Sequence, residues 1–346
     1  MAWWQQLFKL SQRRSIILAV TICCLLIGLN SCTPQNNVEI TLVSYTVTKT
    51  AYQQITDNFA AEWQKSHQQN VVFNQSYGAS GSQSRAVTDG LEADVVALSL
   101  QPDIDKIQKT GLIDQGWEDE LPNQSIVSQS VVALITQPGN PQQIKTWKDL
   151  AQPGLKIITA NPKSSGVAKW NFLAIWGALA KELPGQEAQV FKQVQKIYQN
   201  AIVLAKDARE ASDTFFKQGQ GDVLITYENE AILIGQKGEK LDFVSPPVNI
   251  SIDNPVAIVD QNVRKHQNRV VVEAFVKYLF TPAAQREFAK VGFRPILPAV
   301  YQEFNQQYQK VDQPFKAKEI GSWSDIQANF FAEGGLFDRI EANLKK

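Results

Sequence analysis

The feature that most narrows the fold of this chain is an alternation. Short β-branched runs are followed, again and again, by a polar turn and then by an amphipathic stretch. Residues 38–44 (VEITLVS) form the first such run. The stretch 51–66 follows with Tyr52, Ile55, Phe59 and Trp63 at helical spacing. Residues 71–74 read as a strand, and the turn Tyr77-Gly78-Ala79-Ser80-Gly81-Ser82 opens a helix predicted to run through Leu91. Residues 94–98 (DVVAL), 130–136 and 155–159 are apolar runs of the kind buried in parallel sheets. Shorter ones lie at 203–204 and 223–226. Strands alternating with helices predict an α/β architecture of mainly parallel sheets flanked by helices.

With 346 residues, 44% apolar and 20% charged, the chain can bury a large core in one unit or two lobes. Two composition breaks stand out, QPGNP at 137–141 and SPP at 245–247. They are read as the points where the chain leaves one lobe and returns to it. Residues 38–136 and 250–346 then form lobe 1, and 137–249 form lobe 2. No internal repeat, low-complexity tract or charge run is present.

The first residues carry Lys9, Arg13 and Arg14, then an apolar run at 15–29 that suits a signal peptide and is short for a membrane span. It ends in Leu29-Asn30-Ser31-Cys32, similar to the lipobox of bacterial lipoproteins. The reading is a signal peptide at 1–31, then a lipidated Cys32 and tether over 32–37, with anchorage to the membrane through the lipid only. Asn30 is an unusual occupant of its position, so ordinary cleavage without lipid, leaving a free periplasmic protein, is the alternative. Cys23 and Cys24 leave with the signal. The mature chain then has no disulfide framework, no thiolate metal site and no cysteine nucleophile. It carries 31 basic and 34 acidic side chains, a net of −3, and no basic stripe, which argues against nucleic acid as a partner.

Four segments repeat one design, a strand end, a short polar turn and a helix start. They are Ser44-Tyr45-Thr46, Gly78-Ala79-Ser80-Gly81, Ser164-Ser165-Gly166-Val167 and Lys206-Asp207-Ala208-Arg209. Helix N-termini offer free N–H donors and partial positive charge, so several aimed at one point would hold a small anion without Lys or Arg. The same serines also serve as ordinary helix caps, and both readings stand at this level. Enzyme motifs are poor. Gly78-Ala79-Ser80-Gly81-Ser82 misses the G-x-S-x-G elbow at its last position, and no P-loop occurs. Only His67 and His266 exist, both read as solvated surface residues. Glu228 and Glu230 read as structural carboxylates at a helix start rather than a catalytic pair.

Several stretches, in order, carry a resemblance. They are Val43-Ser44-Tyr45, Gln75-Ser76-Tyr77-Gly78-Ala79-Ser80-Gly81, Glu92-Ala93-Asp94-Val95-Val96 and Asn161-Pro162-Lys163-Ser164-Ser165-Gly166. Gly221-Asp222-Val223-Leu224, Glu228-Asn229-Glu230-Ala231 and Gly334-Gly335-Leu336-Phe337-Asp338 continue it. Together the sequence resembles the periplasmic sulfate-binding proteins of bacterial ABC importers. The resemblance implies a type II periplasmic-binding-protein fold, two lobes joined by two crossover strands and closing on a dehydrated sulfate held only by donors. It implies no cofactor, no metal and no catalysis, a monomer, and partners in an importer's permease and ATPase. Carried over by motif, the donors are Thr46, Ser80, Ser165 through its hydroxyl, Gly166, Val167, Ala208 and Tyr227. Thr46 stands where the family has aspartate and Val167 where it has glycine, both used through backbone N–H. Tyr227 replaces a tryptophan, and a phenol accepts as well as donates. Phosphate, molybdate and thiosulfate are the rival ligands. Asp207 beside Ala208 is the acceptor that phosphate would want, and it is expected to point away. A secreted hydrolase and a ligand-free adhesive lipoprotein are the readings outside this class.

Overall fold

The structure, a computed structural model, describes residues 37–344. The predicted signal peptide, Cys32 and the tether lie outside the described residues, save Asn37, which begins the first strand.

β1 (Asn37–Tyr45) leads through a 3-10 turn (Thr46–Thr48) into α1 (Lys49–His67). β2 (Asn70–Gly78), α2 (Ser80–Thr88), β3 (Val95–Ala97), α3 (Gln101–Lys109) and β4 (Ile126–Ser130) follow. Next come β5 (Val132–Thr136), β6 (Ile157–Ala160), α4 (Gly166–Glu182), α5 (Glu187–Gln199) and β7 (Ala201–Ala205). α6 (Ala208–Phe216), β8 (Val223–Tyr227), α7 (Glu228–Gln236), β9 (Asp242–Val244), β10 (Val248–Ile250) and β11 (Ile252–Ile258) continue the chain. It closes with α8 (Asp260–His266), α9 (Arg269–Tyr278), α10 (Pro282–Lys290), α11 (Pro298–Phe304), β12 (Gln313–Phe315), α12 (Trp323–Ile326) and α13 (Leu336–Leu344).

Ten of these strands form two five-stranded sheets, ordered β2-β1-β3-β11-β4 and β7-β6-β8-β5-β9, and β10 and β12 form a two-stranded one. In each five-stranded sheet four strands run one way and the fourth in order runs against them. That odd strand, β11 or β5, is the one that has just arrived from the other sheet. The mainly parallel α/β prediction therefore holds. α1 buries Tyr52, Ile55, Phe59 and Trp63, the residues its periodicity picked out. α4 is buried on nearly every side because it lies between the second sheet and the C-terminal segment. There Phe172 meets the rings of Trp176, Tyr198, Phe330, Phe331 and Phe337, all within 6.4 Å.

The expected lobe boundaries need correcting. The chain changes sheet at Val131, between β4 and β5, so 132–136 belongs with the second sheet. It returns at Ser251, between β10 and β11. Val131, Ile250 and Ile252 are buried, so the crossings are extended chain inside the core. Composition breaks such as 137–141 mark exposed turns instead. A third crossing was not foreseen. After α11 the chain passes back, β12 pairs with β10, and Phe315 fills the space over Gly177 of α4, where a methyl would collide with it. Residues 313–344 thus pack on the second half, with the Lys163–Asp338 and Lys181–Glu319 ion pairs along them.

Candidate anion-binding site

The carboxyl ends of β1, β2, β3, β6 and β7 all lead to one narrow pocket between the sheets, where ligands sit in open α/β folds. Thr46 and Val47 come from the 3-10 turn after β1, and Ala79 and Ser80 from the start of α2. Ser165, Gly166 and Val167 come from the start of α4, and Asp207 and Ala208 from α6. Thr46, Ser80, Ser165, Gly166, Val167 and Ala208 thus all line this one pocket. No Lys or Arg lines this pocket.

Three of these four helix starts have no side-chain cap. Tyr45, Ala79 and Ser165 all sit in extended backbone at the N-cap position without a capping hydrogen bond. Ser165 is therefore not an ordinary cap, which disposes of the simpler reading of that turn. Its hydroxyl is buried at the pocket and leaves the first N–H groups of α4 unused by any side chain. Thr46 Oγ1 is also buried without a partner. α6 differs, because Asp207 Oδ1 accepts from Glu210 N at 2.9 Å and caps its own helix. One carboxylate oxygen of Asp207 is thus turned toward its own helix, while the residue still lines the pocket.

The two halves meet closely here. Ser80 Oγ donates to Asp103 Oδ2 at 2.7 Å and accepts from Ser99 N at 3.1 Å, which leaves the backbone N–H of Ser80 as its free donor. Ser99 Oγ lies against Gly166. A methyl at Gly166 would collide with that hydroxyl and sit 3.2 Å from Ser80 Cβ. Trp170 Nε1, one turn along α4, donates to Ser99 O at 2.7 Å.

Tyr227 is the exception among the expected donors. It is fully buried, and its hydroxyl lies 3.1 Å from Ser99 Oγ, but it does not line the pocket. Burial pushes its phenol far above the ordinary value, so it stays protonated. Its ring meets Tyr45 edge-on at 6.4 Å, and Tyr45 Oη in turn donates to Asn254 Oδ1 at 2.8 Å. Ser99 and Trp170 were missed by sequence reasoning. The available signal for Ser99 was a small polar residue placed directly after a buried apolar strand.

Glu228 and Glu230 are structural, as read. Glu228 takes a bidentate pair from Arg294 at 2.7 and 3.0 Å. Glu230 accepts from Arg209 at 3.3 Å and Ser212 Oγ at 3.2 Å, tying α7 to α6. Its carboxyl is raised by burial, with Arg209 acting against the shift. Both histidines lie at the surface, as read, but both are engaged: His67 stacks on Trp63 at 3.6 Å, and His266 has Nδ1 2.7 Å from Asp94 Oδ1 and Nε2 3.1 Å from Glu92 Oε2.

Two sheets that exchange strands around a pocket made of helix starts are the architecture of a solute-binding protein. The chain belongs to the bacterial extracellular solute-binding protein family, whose model matches residues 40–294. It is 55% identical over 305 residues to a sulfate-binding protein of Synechococcus elongatus, covering 88% of this chain and 87% of that one. Against a sulfate-binding protein of Escherichia coli the identity is 39% over 306 residues, with 88% and 93% covered. The solved sulfate-binding protein SubI of Mycobacterium tuberculosis superposes with a TM-score of 0.77 at 35% identity, covering 85% of this chain and 99% of that one. The fold is the type II periplasmic-binding-protein fold that was expected. Among the described residues no helix is long and apolar enough to cross a membrane, and no cluster of metal-ligating side chains occurs.

Proposed function

We propose that this protein captures sulfate outside the cytoplasm and hands it to the permease and ATPase of an ABC importer, without catalysis. The anion is held by the N–H groups of Thr46, Ser80, Gly166, Val167 and Ala208 and by the Ser165 hydroxyl. Tyr227 contributes from behind the pocket wall. The protein works as a monomer made of two lobes that close by flexing the buried crossings at Val131 and Ser251. A lipid on Cys32 is its only link to the membrane.

The observation that carries this reading is the convergence of four helix starts, three of them uncapped by side chains, on a pocket that no cation lines. Such a site neutralises charge with oriented dipoles and donors. Hydrogen bonds to a charged partner contribute about 1.5–3 kcal/mol each, and a micromolar complex needs about −8 kcal/mol. Six or seven donors suffice even after closure and ordering costs. Sulfate is favoured over phosphate because a phosphate proton needs an acceptor, and Asp207 spends one oxygen on its own helix cap.

Calorimetric titration of the mature protein with sulfate, thiosulfate, phosphate and molybdate, after unfolding and refolding to strip bound anion, tests this. Sulfate binding unchanged from pH 5 to 8, with phosphate silent, is the expected result. Tight phosphate binding that sulfate does not compete away would overturn it. Ser165→Ala is expected to weaken sulfate by about 1–3 kcal/mol, the cost of an unmatched buried partner.

A further inference from the structure

Ser99 is fully buried and fixed through both of its backbone groups. Its N–H donates to Ser80 Oγ at 3.1 Å, and its carbonyl accepts from Trp170 Nε1 at 2.7 Å, one bond from each side of the cleft. Its hydroxyl lines the anion pocket beside Gly166 and lies 3.1 Å from the Tyr227 hydroxyl. Two hydroxyls carry two protons, and the bond between them uses one. Among the described residues neither hydroxyl has a second acceptor in range, so one proton is left for a third group. Only Ser99 faces the space where that group would sit.

We infer that Ser99 is a further ligand donor of the oxyanion site, with Tyr227 behind it as a positioning residue that donates to Ser99 Oγ and aims its O–H into the pocket. This rests on the oxyanion reading above. A hydroxyl that accepts one hydrogen bond donates the next more strongly. In the reverse arrangement Ser99 would donate to Tyr227 and accept from a protonated ligand, leaving the buried Tyr227 proton without an acceptor among the described residues. This corner therefore sets how strictly the site refuses an oxyanion that carries a proton.

The test is titration of wild type, Ser99→Ala, Tyr227→Phe and the double variant with sulfate, and with phosphate between pH 5 and 8. The melting temperature of each ligand-free form serves as the folding check. Ser99→Ala is expected to weaken sulfate about tenfold or more and Tyr227→Phe a few-fold. The double variant should be no weaker than Ser99→Ala, since Tyr227 acts only through Ser99. Ser99→Cys keeps the shape with a poorer donor and should fall between wild type and Ser99→Ala, separating a lost donor from lost packing. Ser99→Ala within twofold of wild type overturns the inference. So does a Tyr227→Phe loss of the same size on both backgrounds. A wild type silent to every oxyanion instead overturns the reading beneath it.

Discussion

Gly166 shows what a single residue contributes to this site. Its φ is ordinary, so conformational freedom is not the reason for glycine there; the Ser99 hydroxyl and Ser80 Cβ occupy the space a side chain would take. Gly166→Ala should therefore keep the melting temperature of the ligand-free protein within a few degrees. It should lose sulfate affinity more than tenfold, because the halves can no longer meet. Titration and calorimetric melting together check this. His266 supplies a pH dependence. Burial lowers its pKa, but the hydrogen bonds it donates to Asp94 and Glu92 outweigh that and raise it above the usual value. A raised folded-state pKa adds stability that is fully present below the unfolded value of about 6.5 and is lost as pH rises through the folded one. His266→Gln should thus be less stable than wild type at pH 6, with a gap that narrows toward pH 9 in urea titrations. Neither partner of His266 was legible from sequence, since Glu92 and Asp94 lie more than 170 positions away in the chain.

At the scale of elements, periodicity located most helices and strands, but the run read as one strand at 130–136 is two, split at Val131 between the sheets. The helix read at 51–66 is Lys49–His67, and the runs at 71–74 and 223–226 are cores of β2 and β8. Their apolar spacing fixes which face is buried, and that information is local. Only the fate of the turns was not local. Asp207 and Ser165 both precede helices, yet Asp207 caps its helix and Ser165 does not. Asp207→Ala should cost about 1 kcal/mol of stability through the lost cap. Sulfate affinity should shift only slightly, provided the carboxylate serves α6 rather than the ligand. Chemical denaturation with parallel titration reads both. Selective gain of sulfate affinity would show instead that its charge opposes the anion.

For the whole molecule the decisive feature is the third crossing. Arg294, from the first half, reaches Glu228 at the start of α7, and Gln309 on the crossing segment bonds Glu228, Ser245 and Phe243. Glu228 is wholly buried, and removing one member of a buried ion pair typically costs about 3–5 kcal/mol. Glu228→Gln keeps the shape and should lower the melting temperature sharply, while Arg286→Gln, which breaks a surface pair with Glu303, should barely move it. The crossing left no mark in composition because a buried extended segment looks like any other strand. The same interleaving has a consequence for how the protein is made. The first sheet lacks its fourth strand until residue 258 leaves the ribosome, and α4 lacks its aromatic cover until about residue 337. Neither half can finish folding while most of the chain is still being synthesised. A chain built this way stays open until its last segment arrives, which suits a protein of an extracellular family.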